Sequence, residues 1–84
     1  MHILLEHHYQ ALDLLKKLQS GSDFSLLAKK FSKCSSAQYG GDLGLVDLTR
    51  LDEDFADAAE KLQENAVSDV VRTRFGYHLI KRLG

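Results

Sequence analysis

The sequence predicts an α+β domain, on three observations. Apolar residues recur at helical spacing in three separate stretches. Short apolar or β-branched runs stand at both ends of the chain, and a Ser- and Gly-rich stretch separates the second helix from the third. At 84 residues the chain is expected to form a single domain, residues 1–84.

His2 to Leu5 is a short apolar run that suits a buried strand, and Glu6 to His8 is a polar break leading into a helix. Ala11, Leu14, Leu15 and Leu18 then fall on one helical face. Ser20-Gly21 ends that helix, because Gly takes the left-handed cap conformation readily. Ser22 or Asp23 caps the next one, where Phe24, Leu27, Ala28 and Phe31 repeat the spacing.

Cys34 to Gly41 reads as a loop with room for one helical turn, and Asp42 to Val46 as a short strand. Asp52 to Gln63 is the third helix, with Phe55, Ala58, Ala59 and Leu62 in register. Asp52, Glu53 and Asp54 put negative charge at its positive end. In the turn after it, Asn65 tolerates left-handed geometry. Val67 to Thr73 is strand-like, Arg74-Phe75-Gly76 makes a turn, and Tyr77 to Leu83 closes a hairpin.

Composition removes several classes of function. Hydrophobic residues at 44% and charged residues at 27% are ordinary for a globular domain. A formal charge of −1 and the lack of a long basic run argue against nucleic acid, whose binding needs clustered Lys and Arg. Lys29, Lys30 and Lys33 read as a solvated helix face. No apolar stretch has the length of a membrane span, and the amino terminus lacks a signal-peptide pattern, so the default expectation is a soluble, cytoplasmic protein. One cysteine cannot form an internal disulfide, which fits a reducing compartment. Without proline, the chain escapes slow X-Pro isomerisation in its own folding.

Three pieces stand out beyond composition: His2-Ile3-Leu4-Leu5, then Cys34-Ser35-Ser36-Ala37-Gln38-Tyr39-Gly40-Gly41-Asp42-Leu43-Gly44, then Phe75-Gly76-Tyr77-His78-Leu79-Ile80. In this order, over nearly the whole chain, they resemble the parvulin (PpiC-like) family of peptidyl-prolyl cis/trans isomerases. The resemblance implies a four-stranded antiparallel sheet surrounded by about four helices, in the order β-α-α-α-β-α-β-β. It also implies rotamase activity without a cofactor or metal, acting as a monomer on proline-containing peptides and unfolded or partly folded proteins. Family relatives occur as domains of exported chaperones too, so an excised module is a second reading of the chain.

Carried over residue by residue, the resemblance puts Leu43, Leu51 and Phe55 in a proline pocket, with Phe75 also on the substrate side. Cys34 takes the position of the family's Cys or Asp, near the substrate carbonyl. His2 and His78 match two histidines that meet across the sheet, and Thr73 matches a hydroxyl residue bonded to them. Ser36 and Asp42 are in supporting positions. Two touching imidazoles form a polarised hydrogen-bonded chain able to tune a neighbouring thiol. Because relatives carry Asp at its position, Cys34 reads as a polar or anionic group facing the amide and not as a covalent nucleophile.

Leu45-Val46-Asp47-Leu48-Thr49-Arg50-Leu51 departs from the family pattern and alters the expected lip of the pocket. This motivates an alternative, a peptide-binding or chaperone module with little turnover. The loop Glu6-His7-His8-Tyr9 lacks the basic cluster that reads phosphate, so phosphorylated Ser or Thr before proline is not an expected substrate.

Taken alone, His2 and His78 are ordinary core or strand-end histidines, Cys34 a small buried hydrophobe, and the glycines turn punctuation. A metal site is a minor alternative, since adjacent His7-His8 lacks the spacing of zinc ligand pairs. A Cys-His hydrolase lacks an acyl-transfer signature, and the glycines lack the lysine and context of a phosphate loop.

Overall fold

The computed structural model describes residues 1–41 and 52–82 of the chain. Strand β1, His2–Leu5, is followed by helix α1, His8–Gln19, and helix α2, Phe24–Phe31. A 3₁₀ helix spans Ser35–Tyr39, the single turn expected in the loop. Helix α3, Glu53–Lys61, precedes strands β2, Val71–Thr73, and β3, Gly76–Ile80. The expected strand at Asp42 to Val46 lies outside the described residues. The α+β class holds, and the described sheet has three strands.

That sheet is antiparallel throughout, in the order β1-β3-β2, with β3 in the centre. His2 pairs with Ile80 and Leu4 with His78, while Val71 pairs with His78 and Thr73 with Gly76. Directly opposed residues share a face of a pleated sheet, so His2, His78 and Thr73 all project to one side. Ile3, Leu5 and Leu79 project to the other. There they are buried with Ala11 and Leu14 of α1 and Phe24, Leu27 and Ala28 of α2. Removing each of the Ile, Leu and Phe side chains among them from water contributes about 1.5–3 kcal/mol. Helix α3 packs on β2 and β3 and brings Phe55 to the histidine face.

The helix ends follow their residue types. Gly21, at φ +102, closes α1 with Ser22 N–H donating to the Lys17 carbonyl at 3.0 Å and Gly21 N–H to that of Leu18 at 3.1 Å. At the start of α1 the Gln10 amide oxygen accepts the His7 N–H at 3.0 Å. Asp23 stands at the cap position of α2, although its side chain makes no cap bond. Asp52 does cap α3, its Oδ1 accepting the Asp54 N–H at 3.0 Å.

Two elements are shorter than the periodicity predicts. Helix α3 ends at Lys61, where Leu62 turns extended at ψ 139 and Arg82 Nη1 donates to the Leu62 carbonyl at 2.8 Å. Asn65 then adopts φ 64, as expected. The strand expected from Val67 to Thr73 is reduced to an isolated bridge between Val67 and Lys81 and a true strand only from Val71. Ser68 explains the gap: its hydroxyl accepts the Ile80 N–H at 3.0 Å and donates to the Asp69 carbonyl at 2.8 Å, so a side chain replaces a ladder rung. The hairpin is tighter than expected, since Gly76 already belongs to β3 and only Arg74 and Phe75 form the turn. No helix of the described residues is long and apolar enough to cross a membrane.

Candidate active site

A row of hydrogen bonds crosses all three strands on the face that α3 covers. Nδ1 of His2 lies 3.2 Å from Nδ1 of His78, and Nε2 of His78 lies 2.7 Å from Oγ1 of Thr73. Oγ1 also accepts the Phe75 N–H at 3.1 Å, which ties the row to the hairpin turn. All three side chains are buried, at 6%, 4% and 7% exposure for His2, His78 and Thr73. None lies directly opposite its partner in the ladder. The antiparallel register sets them diagonally, on one face and two residues apart, which long side chains span.

Phe55 seals this row. Its ring stands roughly perpendicular to both imidazoles, with centroids 5.3 Å from His2 and 5.3 Å from His78, while the imidazoles are nearly parallel at 17°. Such edge-to-face contacts add about 0.5–1.5 kcal/mol beyond the area they bury. Phe55 is itself only 6% exposed, packed over the two histidines.

Burial favours the neutral form of both rings. It pushes His2 down from 6.5 to about 4, helped by the adjacent His78 and the amino terminus. His78 is lowered as well, again by burial, with the Asp52 carboxylate pulling the other way. Two neutral rings meeting through Nδ1 atoms require one N–H and one lone pair. Either the Thr73 hydroxyl donates to His78 and His78 donates to His2, or both bonds run in reverse. The direction decides whether Nε2 of His2 carries a hydrogen or a lone pair.

The segment from Ser32 to Gly41 lies along the edge of β1 that β3 leaves open. Lys33 N–H donates to the Leu4 carbonyl at 2.8 Å, and His2 N–H donates to the Gly41 carbonyl at 2.9 Å. Ser32 Oγ accepts from both Leu4 N–H, at 3.0 Å, and Cys34 N–H, at 3.3 Å. The Cys34 backbone therefore stands beside Leu4, two residues along β1 from His2, with the side chain half-buried. Gly41 has φ +82, and a Cβ there would overlap the His2 carbonyl, so this docking requires glycine.

Of the residues expected in the site, His2, His78, Thr73 and Phe55 meet directly, and Cys34 lies on the adjoining segment. Phe75 is 60% exposed at the hairpin turn, with the Arg74 guanidinium 5.0 Å from its ring centre. Asp42, Leu43, Leu51 and the Ser36 side chain lie outside what the structure describes. Sequence reasoning missed Asp52, which pairs with Arg74 at 3.4 Å and acts on His78. The sequence marks it only as one of three acidic residues at the positive end of α3. Ser32 was missed too, as one more serine after a helix. Among the described residues no three His, Cys, Asp or Glu side chains converge as metal ligands would.

The sequence profile of the Rotamase family, described as the PPIC-type PPIASE domain, matches residues 2–84. The chain belongs to the PPIC-type peptidyl-prolyl isomerase, or parvulin, family. It is similar to the foldase protein PrsA of Bacillus subtilis, at 46% identity over 82 residues, which cover 96% of this chain and 28% of PrsA. The solution structure of NmPin, the parvulin of Nitrosopumilus maritimus, is 44% identical with a TM-score of 0.87, covering 99% of this chain and 90% of NmPin. A structure from Campylobacter jejuni, from work describing the virulence factor PEB4 and the periplasmic protein Cj1289 as SurA-like chaperones, has a TM-score of 0.92 at 33% identity. It is covered to 36%, by 99% of this chain. The parvulin chain thus spans less than a third of PrsA. The expectation of a cytoplasmic protein gains no support from relatives of which one is described as periplasmic.

Proposed function

We propose that this parvulin domain itself accelerates rotation about exposed X-Pro bonds in protein substrates, without a cofactor, and prefers an apolar residue before proline. The observation that carries the reading is the neutral, fully hydrogen-bonded row of His2, His78 and Thr73, sealed by Phe55, on a chain of this family.

The planar X-Pro amide resists rotation by about 18–20 kcal/mol because of its conjugation. The twisted form loses that conjugation, so its carbonyl is less polarised and its nitrogen regains a lone pair. An apolar slot disfavours the more polar planar state, and each 1.4 kcal/mol of such preference is worth about tenfold in rate. In this reading Phe55, with Leu43, Leu51 and Phe75, receives the proline ring and the residue before it. Cys34 faces the substrate carbonyl as a polar group, and Ser36 and Asp42 support the loop. The histidine row fixes the field around Cys34 without exchanging charge with the substrate, in keeping with burial that holds both rings neutral.

A second reading, a peptide-binding module with little turnover, draws support from the SurA-like chaperones among its structural neighbours. Protease-free NMR exchange measurements on a short Phe-Pro peptide separate the two. Faster cis/trans exchange supports the isomerase; shift changes without faster exchange support the binder.

A further inference from the structure

Asp52 makes three connections at one point. Its Oδ1 caps α3 through the Asp54 N–H, and its Oδ2 pairs with Arg74 Nε at 3.4 Å. The carboxylate also acts electrostatically on His78. Asp52 is only 13% exposed, whereas Arg74 reaches out to solvent at 76% and lies over the Phe75 ring. One turn into α3 stands Phe55, whose ring touches both histidines. One residue before Arg74 stands Thr73, whose hydroxyl ends the row. The ion pair is thus the polar bridge between the helix that seals the site and the turn that closes its hydrogen-bonded row.

We propose that Asp52 is a positioning residue for the isomerase site: paired with Arg74, it fixes the amino-terminal end of α3, and so Phe55, against the turn that carries Thr73. The inference rests on the isomerase reading for its kinetic consequence, not for its structural one. Asp52 has a counterpart role in charge. His78 faces His2 from β1, Thr73 from β2, Phe55 and Asp52 from α3, with Arg74 at the turn, and Asp52 is the anion of that set.

The test uses D52N, R74Q and the double variant. Asn keeps a cap acceptor and removes the charge, which preserves the helix end. The expected result is a two- to fivefold loss of kcat/KM on a Phe-Pro peptide in each single variant, about what a partly exposed pair supplies. The double variant should be no worse than the poorer single one, the signature of two residues acting as a unit. In D52N the His78 titration, followed by NMR, should move to lower pH, which a purely structural cap would not cause. Unchanged kcat/KM in folded D52N, or losses that add in the double variant, would overturn the clamp. If the wild-type domain shows no turnover, the isomerase reading fails instead. The clamp is then judged by the Phe55 ring-proton shifts and turn-amide relaxation, which D52N and R74Q must both change for it to stand.

Discussion

His2 and His78, 76 residues apart in sequence, share one hydrogen bond between their Nδ1 atoms at 3.2 Å. The contact joins the first and last strands of the sheet inside a site that Phe55 closes. Because both rings are buried and each is shifted towards the neutral form, the pair makes the fold itself sensitive to acid.

Stability should fall as the pH drops from about 6.5 to about 4. The folded chain holds His2 near 4, while the unfolded chain titrates it near 6.5. Within that window the unfolded state takes up a proton that the folded state refuses. The stabilisation is therefore complete above the window, lost across it, and constant below it, with His78 acting in the same direction. For His2 alone the loss is about 3 kcal/mol. Urea unfolding on both sides of the window measures it, and a pH-independent midpoint would refute a neutral buried pair.

Thr73→Val should cost about 1–3 kcal/mol, because the shape stays but Nε2 of His78 and the Phe75 N–H lose a partner. Thr73→Ser keeps the hydroxyl and should keep most of the activity. Full activity and stability in Thr73→Val, or a loss confined to Thr73→Ser, would mean that the methyl group, not the hydrogen-bonded row, matters.

Phe55→Leu should keep the domain folded yet remove most acceleration of Phe-Pro exchange. Leucine fills much of the volume but has no ring to meet the imidazoles. Phe55→Ala, by contrast, would cost about 3–5 kcal/mol, a large share of the roughly 4–13 kcal/mol available to a domain of this size. A folded Leu variant with wild-type exchange rates would place the proline pocket elsewhere.

Cys34→Asp should remain a partly active isomerase, because the reading gives Cys34 an electrostatic role. A covalent mechanism predicts a dead protein in the same NMR exchange measurement. Thiol alkylation would not discriminate, since it adds bulk in either case.

Much of this fold is legible along the chain. The Ala11, Leu14 and Phe24, Leu27, Ala28 faces that build the core are read from local spacing, and the Gly21 cap and left-handed Asn65 from residue type. These signals survive because they depend on neighbours within a turn of chain. The strand from Val67 was over-read because β-branched composition does not reveal that the Ser68 hydroxyl takes the place of a ladder bond. Along the chain Asp52 reads only as negative charge at the start of α3, since its partner Arg74 reaches it only when the hairpin folds back onto α3.

The helices, the apolar faces and the parvulin membership are legible in the residues alone, and so is the set of His2, Cys34, Thr73, His78 and Phe55. Their relations belong to the folded chain: the diagonal row through Nδ1 and Nε2, the Phe55 ring set across both imidazoles, and Asp52 joined to the turn. The reason is physical. Periodicity reports which side of its own element a residue occupies, whereas a contact across strands depends on register and rotamer, which are fixed only when the sheet closes and water leaves the site.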